Sequence, residues 1–146
     1  MGRDIYALYG VKDSHMAKVA KLALVAGDAD AVVSLGVNPE DEDVTIIQAT
    51  LFLGTVTTAA SITLDIGTAA TVVTDDTIFD GADVKTAVGA FLATSASGGT
   101  NGSLKNGVPK VWTKGYHITQ KSLGGASTGM VGSLVITYMA KVQELD

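Results

Sequence analysis

The chain has no cysteine, which excludes a disulfide framework and any zinc site built on thiolates. Charge is also scarce: only 17% of the 146 residues are Asp, Glu, Lys or Arg, where an average soluble protein has about 25%. No dense Lys/Arg patch occurs in either half, which argues against direct nucleic-acid binding. No apolar run approaches the ~18 residues of a membrane-spanning helix, and the first residues lack the apolar core of a secretion signal. No internal repeat is visible.

What is present is apolar and small. Hydrophobic residues make up 47% of the chain and the mean hydropathy is +0.33, much of it from Ala and Val, which suit close-packed sheets. The length fits one domain with a true core. A chain with so few charges has little with which to clothe a free surface, which points to a component of an assembly. The charge is unevenly spread: residues 1–83 hold 4 basic and 13 acidic side chains and residues 84–146 hold 6 and 2, giving the overall −5. Such a split suits contact between unlike faces of neighbouring copies, or is plain surface scatter.

The clearest local signal lies between residues 60 and 68. Ile62, Leu64 and Ile66 alternate with Ser61, Thr63 and Asp65, and Gly67 ends the run. This is the pattern of a half-buried antiparallel strand with Asp65 on its wet face. Residues 44–53 read as a long strand with Ile47, Ala49, Leu51 and Leu53 inward, hairpinned to the strand that follows. Residues 130–142 read as a last strand with Leu134, Ile136 and Tyr138 inward and Thr137 and Lys141 outward, and residues 111–119 as a strand with Trp112, Tyr116 and Ile118 on one face.

Two segments carry helical signals. Ser14 could cap a helix through Met16, Val19, Ala20 and Ala23, but the same stretch reads as a strand ending in a Gly-Asp-Ala turn and hairpinned to residues 31–35, which is the more economical pattern. Asp83 looks like an N-cap, and Val84, Ala87, Val88, Phe91 and Leu92 follow at the spacing of a short amphipathic helix. Residues 1–13 read as an extended N-terminal arm, and residues 14–146 as the folded domain. Residues 94–108, with three Gly-containing turn pairs, read as a loop or hairpin tip. The expectation is an all-β antiparallel β-sandwich, jelly-roll-like, with one short helix and that arm.

Chemistry-bearing candidates are few. Gly125-Ala126-Ser127-Thr128-Gly129 matches the nucleophile-elbow spacing, but that motif needs a strand-to-helix turn above a parallel sheet, and here a strand follows. His15 and His117 are far apart and have no metal-ligand spacing. Asp75, Asp76, Asp80 and Asp83 are hard oxygen ligands in one segment, though not in an EF-hand pattern. Glu40, Asp41, Glu42 and Asp43 read as a solvated acidic turn. Trp112 and Tyr116 could offer a stacking platform for sugar rings, or simply core packing. No catalytic, cofactor-binding or metal residue is assigned, no cofactor is implied, and the expectation is not an enzyme.

The order of elements resembles a known group. A strand over residues 18–26, a Gly-Asp-Ala turn and residues 31–36 with Asn38-Pro39 come first. Val44-Thr45-Ile46-Ile47 and Thr63-Leu64-Asp65-Ile66-Gly67 follow, then an Asp-rich segment, a long polar loop, and a strand carrying Val135-Ile136-Thr137-Tyr138. This resembles the small all-β head auxiliary proteins of tailed bacteriophages: capsid decoration or cement subunits, or the bases of head spikes. The resemblance implies a homotrimer on the outer capsid surface of the virion. Its partner would be the phage major capsid protein, with no catalytic residues and no contact with nucleic acid or membrane. A tail or fibre subunit, and a carbohydrate-binding or adhesin module using Trp112, Tyr116 and residues 94–108, are the competing expectations.

Overall fold

The computed structural model describes residues 15–59, 61–93, 100–101 and 110–141. The arm at residues 1–13 and most of the loop at residues 94–108 lie outside the described residues.

Ten strands follow one another: β1 (His15–Ala23), β2 (Val32–Val37), β3 (Val44–Thr55), β4 (Thr63–Ala69), β5 (Phe79–Asp83), β6 (Gly89–Leu92), β7 (Thr100–Asn101), β8 (Lys110–Trp112), β9 (His117–Leu123) and β10 (Val131–Lys141). They form two five-stranded sheets. The first has the order β1-β10-β3-β6 with β8 also paired to β3, and the second has the order β2-β9-β4-β5-β7. All pairings are antiparallel. From β1 to β4 each strand lies in the sheet opposite its predecessor, which is the winding of a jelly roll.

The core is the space between the sheets. Ile46, Leu51, Trp112, Leu134 and Ile136 of the first sheet face Leu64, Ile66, Phe79 and Ile118 of the second, all at most 2% exposed. Each such burial contributes roughly 1.5–3 kcal/mol. The alternation of Leu64 and Ile66 and of Leu134, Ile136 and Tyr138 places these residues inward as their sequence pattern requires.

Several expectations are corrected. Residues 15–23 are a strand, but neither β1 and β2 nor β3 and β4 form a hairpin, because each pair is divided between the two sheets. The chain after β3 instead crosses to the other sheet, and Thr57 and Thr58 anchor the crossing by donating to the Thr128 carbonyl. In β3 the register slips between Thr137 and Tyr138 of its partner, so Gln48 pairs with Thr137 and Ile46 with Tyr138. The extra residue is a bulge. It turns Ile46 into the core and leaves Ile47 45% exposed, the reverse of the expected face.

No helix follows Asp83, and Phe91 and Leu92 belong to β6 instead. Asp83 does accept hydrogen bonds from the Lys85 and Thr86 amides, at 2.8 and 3.1 Å, as a cap would. The turn it closes then runs into Gly89 at φ 144°, a conformation that a helix excludes and a side chain resists. The expected strand over residues 111–119 is broken by a turn at residues 113–116, closed by the Tyr116 amide donating to the Thr113 carbonyl.

Asp65 is 8% exposed, not on a wet face. The chain after β4 folds back over the outside of the second sheet. A Cβ built on Gly67 would overlap the Asp75 carboxyl group, so only glycine lets this segment lie so close to the strand.

Candidate interaction surface

None of the sequence-level catalytic or metal candidates assembles into a site. Ser127 is fully buried. Its hydroxyl accepts from the Gly27 amide at 2.9 Å and lies 2.9 Å from the Ser122 hydroxyl, joining the β1–β2 connection to the turn before β10. Gln120 makes the same tie one step along, accepting from the Val25 amide and donating to the Val25 carbonyl. His15 and His117 stand in different sheets, and His117 Nδ1 is 2.8 Å from the Ser34 hydroxyl.

The aspartates divide their work. Asp75 accepts from Thr77 and Asp83 from Lys85 and Thr86, and among the described residues no three acidic or imidazole groups converge as ligands. Asp65 accepts from the Gly81 amide at 2.9 Å. Burial is the main reason that its carboxyl is pushed above the usual range, with Asp80 and Asp76 nearby adding to the effect.

Trp112 cannot serve as a sugar platform. It is fully buried, stands edge-on to Tyr138 with ring centroids 6.0 Å apart, and donates its indole N–H to the Tyr116 carbonyl at 3.0 Å.

The acidic turn keeps Asp41 and Asp43 exposed, as expected of a solvated loop, but it is also tied to its surroundings at several points. Glu40 meets Lys18 of β1 at 2.5 Å and accepts from the Tyr138 hydroxyl at 3.4 Å. Glu42 accepts from the Lys141 amide at 2.9 Å. Asp43 accepts from the Lys114 amide, and Asp41 meets the Lys114 ammonium at 2.7 Å. The Lys114 hydrogen bond holds the Asp41 carboxyl below its ordinary range. Asn38 fixes the turn by donating to the Glu42 and Trp112 carbonyls.

The feature that stands out is the outer face of the first sheet. Strand parity and register place Ala17, Val19, Lys21 and Ala23 of β1 on it, beside Val131, Val135 and Met139 of β10. Phe52 of β3, Ala90 and Leu92 of β6 and Val111 of β8 continue it. Val19 is 63% exposed, Val131 61% and Val111 55%. A shallow depression on this face is lined by Lys21, Phe52, Gly54, Val131 and Gly132. Thr45, Gln48, Thr50, Ser133 and Thr137 share the face, so its exposed apolar side chains are interspersed with polar ones and Lys21, a composition suited to an interaction surface.

Within the strands the charge is sorted by sheet, although the acidic turn lies against Lys18 and Lys141 of the first. The strands of the first sheet carry Lys18, Lys21, Lys110 and Lys141 and no acidic residue. Those of the second carry Asp65, Asp80 and Asp83 against Lys121. The segment laid over the second sheet adds Asp75 and Asp76. The imbalance was legible in the composition, but its geometry was not, because β1 comes from the acidic half and lies beside β10 from the basic half.

No protein-family model matches the sequence, and no curated protein matches it. Among solved structures, the fold is similar to that of a chain in the cyanophage Pam1 capsid asymmetric unit. The TM-score is 0.53 with 15% sequence identity, over 90% of this chain and 86% of that chain. At this identity the similarity is one of fold.

Proposed function

We propose that this protein is a structural virion subunit, a decoration or cement protein that binds the outer surface of a phage head as a homotrimer. It contacts the major capsid protein, bridges neighbouring capsomers, and performs no catalysis. The observation that carries this reading is the set of exposed Val19, Phe52, Val111 and Val131 on the outer face of the first sheet, in a fold similar to that of a chain of a phage capsid.

The mechanism is additive contact. A standard interface buries about 1,600 Å² in total, and a shell repeats each contact many times, so modest affinities multiply through avidity. Bridging contacts raise the free energy needed to separate capsomers. Nothing in such a role calls for a nucleophile, a metal or a polar cleft. The burial of Trp112 and the clamped acidic turn supply rigidity instead. A head-spike base is the second reading. The burial of Trp112 weighs against a carbohydrate module.

The test is co-sedimentation of the purified protein with expanded empty heads of the phage that encodes it. Saturable binding is expected. Deleting residues 1–13, whose Tyr6 and Tyr9 suit docking on a neighbour, is expected to abolish binding while the sandwich stays folded by circular dichroism. Heads that pellet without the full-length protein would contradict the reading.

A further inference from the structure

We infer that the outer face of the first sheet is one half of a head-to-tail contact between copies, and that the other half is the acidic outer side of the second sheet around Val72 and Val73. The inference deepens the assembly reading above by naming the surfaces that join the subunits.

Three observations carry it. The first is charge. Lys21 lies on the exposed face of the first sheet, while Lys18 points the other way and is paired with Glu40. Outside the second sheet Asp75, Asp76 and Asp80 cluster over Asp65, with Lys121 in register beside it. Two copies of this face would set Lys21 against Lys21, whereas Lys21 and the aspartates attract.

The second is shape. The depression on the first sheet has glycines at positions 54 and 132 between the walls of Phe52 and Val131. On the acidic side, Val72 and Val73 stand 44% and 51% exposed among the aspartates. Exposed aliphatic side chains next to Asp75 and Asp76 in sequence suit a depression that carries Ala23, Phe52 and Val131 beside Lys21.

The third is size. Four strands lie across the first sheet. At about 4.8 Å between strands and 3.3 Å per residue, the face covers about 600–700 Å², close to the roughly 800 Å² per partner of a standard interface.

A contact between unlike surfaces is heterologous, so it closes into a ring when its rotation is a whole fraction of a turn and runs on as a chain otherwise. That property supplies the test. Sedimentation velocity is run on the wild type, on Val19→Asp, which spoils the lysine face, and on Val73→Asp, which spoils the acidic side. Both positions are exposed, and thermal melts check that each variant is folded. The wild type is expected to sediment as an oligomer that loosens as salt is raised, and each variant alone as a monomer. An equimolar mixture of the two variants is expected to form a dimer, because one intact face of each kind remains. Phe52→Glu, mixed with Val73→Asp, is expected to behave as Val19→Asp does.

A monomeric wild type overturns the inference, and so does a Val73→Asp variant that keeps the full oligomer or a mixture that stays monomeric. The two readings fail separately. Head binding by a monomer would remove only this contact, and an intact head-to-tail oligomer that ignores heads would remove only the capsid role.

Discussion

The Asp75 carboxyl group occupies the space that a side chain at Gly67 would need. This single approach seats the segment between β4 and β5 on the outside of the second sheet and buries the strand on both faces.

Gly67→Ala is therefore expected to destabilise the fold by about 1–3 kcal/mol, the usual cost of overpacking a tight site. Gly54→Ala is the control, since its added Cβ would meet only the Val131 carbonyl oxygen at an ordinary 3.7 Å. Urea unfolding of both variants checks this, and equal stability of the two would contradict it.

Asp65 gives a pH signature. Burial raises its carboxyl above the ordinary value, so the folded state holds this proton more tightly than the unfolded state. Stability from this group falls as pH rises through the unfolded and then the folded value, and the penalty persists above both. Asp65→Asn keeps an acceptor for the Gly81 amide without the charge. Its melting temperature is expected to exceed that of the wild type at pH 7, with the gap shrinking toward pH 3. A gap independent of pH would refute the assignment.

Asp83 has the opposite sign. The Thr86 hydroxyl and the Lys85 amide hold its carboxylate below the ordinary value, so its contribution is present above the unfolded value and is lost as pH falls through the folded one. Asp83→Ala is expected to cost about 0.5–1 kcal/mol at pH 7, as the loss of a capping side chain does, and less at pH 2. Chemical denaturation at the two pH values measures it.

Trp112 is the only tryptophan and is fully buried. Trp112→Ala is expected to cost about 3–5 kcal/mol and to loosen the acidic turn, whose Asn38 donates to the Trp112 carbonyl. In the wild type its fluorescence is expected to be blue-shifted and unchanged by sugars. Quenching by a glycan would revive the lectin reading.

The sequence made some of this legible and hid the rest for physical reasons. The strand through Leu64 and Ile66 was readable because one face is wholly core, although it runs on past Gly67, the expected end, to Ala69. Its outer face was not, because the cover over Asp65 depends on a contact between Gly67 and Asp75 that no periodicity encodes. Asp83 carried a true capping signal, but an aspartate closing a turn and one capping a helix make the same local hydrogen bonds, and only Gly89 tells them apart.

The inward face of β3 was read correctly at Ala49, Leu51 and Leu53 and missed at Ile47, because a one-residue bulge there reverses parity toward the start of the strand. The interaction face did leave a trace. Ile46-Ile47 and Leu51-Phe52-Leu53 are apolar at adjacent positions, so Ile47 and Phe52 stand exposed among Thr45, Gln48 and Thr50 on the outer side, and a template with one buried side discards that information. Which strands share a sheet is set by contacts distant in sequence, so the expected hairpins failed while most of the strands themselves were found.

The most direct test of the central claim is immunogold electron microscopy of intact phage particles, using antibody raised against the purified protein. The account predicts gold on the outer surface of the heads, displaced when residues 1–13 are deleted. Gold confined to tails, or particles without label in lysates that contain the free protein, would contradict it.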